Sequence, residues 1–115
     1  MPSWIAKFYR AAAIYGFVVL TPAYFAPWPA EQPHIYLGFI GLALVFQAVF
    51  WIIASDPVRY RPLMAASVFE KLVFGLPTLL LFAQHRVGAL DACFGVIDLL
   101  LGLGFFLAWR ATPKT

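Results

Sequence analysis

Residues 64–82, "MAASVFEKLVFGLPTLLLF", decide the reading of this chain. Apart from Glu70 and Lys71 the stretch is almost wholly apolar. It is long enough for a helix across about 30 Å of hydrocarbon, which takes about 20 residues. A cation and an anion set side by side in such a stretch are costly, at about 2.5–3.5 kcal/mol each near the centre of a span. Such groups are normally turned inward and partnered.

Three further stretches of the same kind flank this one. The spans are expected at about 4–25, 35–54, 63–83 and 89–109. Between the first two, "APWPAEQPH" holds Pro27, Pro29 and Pro33, which cannot continue a helix because each lacks a backbone N–H and clashes with the preceding turn. "SDPVRYRP" separates the second from the third, with Asp56 before Pro57 reading as a capped turn, and "QHRVG" closes the third at Gly88. The expected fold is all-α: a four-helix integral membrane bundle forming one transmembrane domain over residues 1–115.

Composition agrees. The 115 residues are 63% hydrophobic and 11% charged, with a mean hydropathy of +0.86, against about 25% charged in soluble domains. The net charge of +3 comes from scattered residues and forms no continuous basic patch, so nucleic acid is not an expected partner. Cys93 is the only cysteine, which excludes an internal disulfide and any C-x-x-C motif. There is no cofactor fingerprint, metal-ligand spacing or nucleophile motif. No catalytic residue, cofactor or metal is therefore assigned, and His34, His85 and Asp91 read as solvated residues near loops.

Orientation follows from the basic residues. Lys7, Arg10, Arg59, Arg61, Arg110 and Lys114 fall on one side and Arg86 on the other, which places both termini in the cytoplasm. Trp4, Trp51, Tyr60 and Trp109 form the inner aromatic belt, and Tyr24, Trp28 and Tyr36 the outer one. The first span is read as retained, because prolines follow it at once and no clean A-x-A cleavage site is present.

Each span carries a polar side chain in the middle of its length: Tyr15, Gln47, Glu70 and Asp98. These four are the expected intramembrane cluster, either hydrogen-bonded to fix helix register or lining a proton-accessible cavity. Arg10, at a depth similar to that of Glu70, is the candidate ion-pair partner for it; a carboxyl that keeps its proton is the alternative. Glu70 and Lys71 project about 100° apart and are not expected to pair, and Lys71 is expected to snorkel toward the cytoplasmic headgroups. In the fourth span Asp91, Gly95, Asp98 and Gly102 share one helix face, read as the helix-packing stripe. Ala66, Glu70 and Pro77 form a similar line on the third span, and Ala43, Gln47 and Ala54 on the second.

In span number, in "SDPVRYRP" between spans two and three, in "EK" early in span three and in the acid within span four, the chain resembles small bacterial membrane proteins of the DoxX-like type. That resemblance implies the bacterial cytoplasmic membrane and, for some members, an association with quinol oxidation; it carries no site residue across. The functional expectation is a non-enzymatic accessory or assembly subunit, with a lipid bilayer and a membrane-protein partner or second copy around it. The alternative is a proton-linked carrier or binder of a lipid-soluble ligand such as a quinone. A membrane-embedded enzyme is the weakest reading.

Overall fold

Proline sets where the helices start. It is tolerated in a first helical turn, where its missing N–H has no intrahelical partner to lose, and Pro33 and Pro62 occupy such positions. The computed structural model describes residues 2–114 and contains α1 (Trp4–Phe25), α2 (Pro33–Ser55), α3 (Arg61–Ala83) and α4 (Ala89–Ala111). The protein is all-α with four helices. The prolines belong inside the first turns of α2 and α3, so these helices begin two residues before the apolar runs do.

Helix ends depart from the sequence reading at one point. α3 is closed by His85, in the left-handed region at φ 59°, with the Arg86 N–H donating to the Leu81 carbonyl at 2.8 Å. This is the Schellman arrangement, usually built on glycine, and histidine is among the few other residues found in that region. Gly88, expected to close α3, instead precedes α4 in an extended conformation. At the end of α1, side chains cap the carbonyls: Tyr36 Oη donates to Ala23 O at 2.8 Å and Trp28 Nε1 to Tyr24 O at 3.0 Å.

The chain forms two compact units, one of α1 and α2 (Ser3–Pro57) and one of α3 and α4 (58–114). In the first, Ile5, Tyr9, Ala12, Ala13 and Gly16 make the buried face of α1. The Tyr9 ring lies 6.2 Å from Phe50 of α2, and Phe46 and Phe50 lie 6.3 Å apart. In the second, α3 buries Met64, Ser67, Lys71, Gly75 and Thr78, and α4 buries Ala92, Gly95, Gly102, Phe105 and Ala108.

Beside this apolar core, polar side chains are buried while many large apolar ones are exposed, unlike a protein dissolved in water. Lys71 is 5% exposed while Val73, two residues on, is 70% exposed. Buried Gln47, Ser67 and Thr78 contrast with exposed Leu42, Val45, Leu76, Leu80, Leu100 and Leu103. Three helices, α2, α3 and α4, are long and apolar enough to cross a membrane. α1 matches them in length, with Lys7, Tyr9, Arg10, Tyr15, Thr21 and Pro22 interrupting its apolar run.

Candidate functional site

Two antiparallel helices approach closely where neither carries a bulky side chain. Along α3–α4 that condition is met by glycine at two levels. A Cβ on Gly75 would lie 2.7 Å from Leu99 Cγ and 3.1 Å from the Gly95 carbonyl, and one on Gly95 would lie 3.2 Å from Thr78 Cγ2. Further along, a Cβ on Gly102 would lie 3.1 Å from Lys71 Cβ. The stem of Lys71 thus runs against bare α4 backbone.

Past Gly102, the Lys71 ammonium arrives between two carboxylates. Its Nζ is 3.5 Å from Asp98 Oδ1, a donor-acceptor contact across the two helices, and 3.4 Å from Glu70 Oε2 on its own helix. Strong ammonium-carboxylate hydrogen bonds run about 2.7–2.9 Å, so the trio is loosely knit. The side chains are 6% exposed for Lys71, 17% for Glu70 and 19% for Asp98. Glu70 Oε2 is buried and has no hydrogen-bond partner among the described residues. With all three groups ionised, the trio carries one net negative charge.

Near the end of the hairpin where α3 begins and α4 finishes, Arg61 joins the helices. Its Nε donates to Thr112 O at 2.9 Å and its guanidinium lies 4.6 Å from the Trp109 ring centroid. Lys71 is ten residues beyond Arg61, about 15 Å along the helix. Its ammonium ends at Asp98, one turn of α4 beyond Gly102 and away from that end. This corrects the snorkelling expected for Lys71: two acids hold the ammonium at depth, and Gly102 provides its passage. Glu70 and Lys71, not expected to pair, do come within 3.4 Å of each other, in a loose contact, since both long side chains bend to the same point despite leaving the helix in different directions.

The remaining residues singled out from sequence are placed as follows. Gly95, Asp98 and Gly102 lie on the face of α4 that meets α3, whereas Asp91 is exposed in the first turn and Ala92 is the buried residue there. On α3 the packed line is Ser67, Lys71, Gly75 and Thr78; Ala66 and Pro77 are exposed. In the α1–α2 unit, Gln47 is buried, donates from Nε2 to Ala43 O at 2.8 Å, and lies against Gly16 so closely that a Cβ there would overlap its amide. Tyr15 is partly buried beside Gly16. The Arg10 guanidinium lies 5.4 Å from the Trp51 ring centroid, and within the α3–α4 unit Lys71 Nζ lies 3.4 Å from Glu70.

Gly16 and Gly75 are the residues that the sequence reading passed over, and Lys71 is the one it directed elsewhere. Ser67, Lys71, Gly75 and Thr78 fall at i, i+4, i+8 and i+11, a small-and-polar stripe on one helix face. Counting lysine as a member of that stripe would have found it. Among the described residues no three His, Cys, Asp or Glu side chains gather as a metal ion would need. No family model matches the chain, and neither does any curated protein or solved structure.

Proposed function

We propose that this chain is an integral membrane protein of the bacterial cytoplasmic membrane, with both termini in the cytoplasm, acting as a non-enzymatic accessory or assembly subunit. Three apolar helices and the outward display of large apolar side chains support the membrane placement, and the distribution of Lys and Arg supports the orientation. The observation that carries the functional reading is the enclosure of Lys71 between Glu70 and Asp98. Its charge is answered within one helical hairpin, as expected of a device that fixes register and pairing.

One observation favours a second reading, in which the site moves a proton or binds a lipid-soluble ligand. Glu70 Oε2 is buried without a hydrogen bond among the described residues, and one ammonium faces two carboxyls. Intramembrane acids of this kind commonly mark proton or ligand pathways, and a quinone is the ligand that the resemblance to DoxX-like proteins brings forward.

Purification from native membranes in a mild detergent separates the readings. An accessory subunit elutes with a membrane-protein partner at fixed stoichiometry. A chain that elutes alone, with a quinone in its organic extract that Glu70→Gln removes, overturns the accessory reading in favour of the second.

A further inference from the structure

The α3–α4 unit holds a second polar feature, separate from the Glu70–Lys71–Asp98 trio. A half-open surface hollow of about 260 Å³, called the cavity below, is lined by Val58, Arg59, Arg61, Pro62 and Lys114. Among the described residues that line it, three of five are cations and none is an acid. A water occupies about 30 Å³ of liquid, so the space is sufficient for a phosphodiester headgroup and not merely one ion.

The walls of this cavity are held in place. Arg61 is fixed by its bond to Thr112 O and its position over Trp109. Thr112 is buried, and both its N–H and its Oγ1 donate to Ala108 O, at 2.9 and 2.7 Å. The turn that leads to Lys114 is thereby anchored to α4. The Arg59 guanidinium lies 5.5 Å from the Tyr60 ring centroid, and the cavity adjoins the first turn of α3, the positive end of that helix.

Guanidinium groups match the geometry of phosphate oxygens in a way that carboxylate-poor, lysine-only surfaces do not. Val58 and Pro62 add apolar wall, and Tyr60 and Trp109 are residue types that favour the headgroup level. Basic pockets beside membrane helices bind lipid headgroups by this combination. We infer that the cavity lined by Arg59, Arg61 and Lys114 binds the phosphate of an anionic membrane lipid. The inference rests on the proposed membrane placement but not on the role of the charged trio.

The test uses the full chain in phosphate-free dodecyl maltoside micelles, titrated with short-chain phosphatidylglycerol and separately with inorganic phosphate. Lipid adducts are counted by native mass spectrometry and binding is followed by tryptophan fluorescence. Arg59→Gln with Lys114→Gln is expected to weaken phosphatidylglycerol binding about tenfold or more. Arg110→Gln, which removes a cation that lies over Phe106 and outside the cavity lining, is expected to leave it within about twofold. Lys114 is exposed, whereas Arg59 lies over Tyr60, so Lys114→Gln alone, which leaves that contact in place, is the second variant and is expected to weaken phosphatidylglycerol binding in the same sense. Equal lipid binding by the double and Arg110 variants overturns the site. Inorganic phosphate binding as tightly as phosphatidylglycerol at the same residues assigns the cavity to free phosphate and overturns the lipid. Because the phosphate arm reports on the cavity in any placement of the chain, failure of the membrane reading and failure of the site give different results.

Discussion

Gly102 is the reason Lys71 can reach Asp98. A Cβ at residue 102 would stand 3.1 Å from Lys71 Cβ, tighter than ordinary van der Waals contact, yet the lysine passes there to place Nζ 3.5 Å from Asp98 Oδ1. The small-residue stripe and the buried charge on α4 are therefore one device.

Gly102→Leu should force α3 and α4 apart and destabilise the protein by about 1–3 kcal/mol, the usual range for overpacking. Leu103→Ala removes a side chain that is 55% exposed and should change stability much less. Thermal unfolding in detergent measures both. Equal losses would mean that the α4 face has been assigned wrongly.

Lys71→Met removes the one cation of the trio and leaves two facing acids without it. Loss of one member of a buried charge pair costs about 3–5 kcal/mol. The contacts of 3.4 and 3.5 Å and the partly exposed acids place this case at the low end. Combining it with Glu70→Gln and Asp98→Asn should recover most of the loss, because no charge then remains. A single Lys71→Met variant that melts with the wild type would dismiss the trio as a stabilising feature.

Glycine tests the packing in both hairpins. Gly75→Ala brings a Cβ to 2.7 Å from Leu99 and 3.1 Å from the Gly95 carbonyl, and Gly16→Ala meets the Gln47 amide; Gly38→Ala meets nothing within 4 Å. The first two should lower the melting temperature. Gly38→Ala should raise it slightly or leave it unchanged, because alanine favours a helix by about 1 kcal/mol over glycine.

Much of this fold was legible because apolar run length and proline position act locally. The 4–25 run coincides with α1, and α2, α3 and α4 enclose the other three. What the sequence concealed was azimuth. Glu70 and Lys71 are adjacent, and a general rule about lysine sent Lys71 to the interface and Glu70 into the core. The rotation of α3 is set by small residues against α4, and Gly75 fixes it: with Gly75 and Thr78 facing α4, Lys71 must face it too. Asp98 and Gly102 were legible as neighbours on one face, but the lysine they admit was visible only from the partner helix. The cap at His85 was hidden for another reason, since Gly88 offered the easier backbone and stands three residues too late.

Orientation is open to direct measurement. Reporters fused at Lys114 should register in the cytoplasm, and reporters in the loops at Gln32 or Arg86 outside it, because the basic residues cluster at the opposite loop and the termini. A cytoplasmic signal from Gln32 would reverse the placement and take the proposed lipid cavity to the outer face.

The two acids beside Lys71 should not be equivalent. Asp98 lies across the helix pair from the ammonium, 3.5 Å from Nζ, whereas Glu70, 3.4 Å from it, lies on the same helix as the lysine. Asp98→Asn removes the only one of these contacts that joins the two helices and should therefore cost about 1–2 kcal/mol, the low end for a hydrogen bond to a charged group. Glu70→Gln leaves one ammonium facing one carboxylate and should cost less than about 1 kcal/mol. Equal costs would show that Glu70 shares the cross-helix work. Infrared spectroscopy then separates the two functional readings. A protonated-carboxyl band present at pH 7 in the wild type and absent in Glu70→Gln identifies a site that holds a proton, and supports the proton-linked role. With no such band, Glu70 is ionised beside Lys71 and the trio acts as a fastening between α3 and α4.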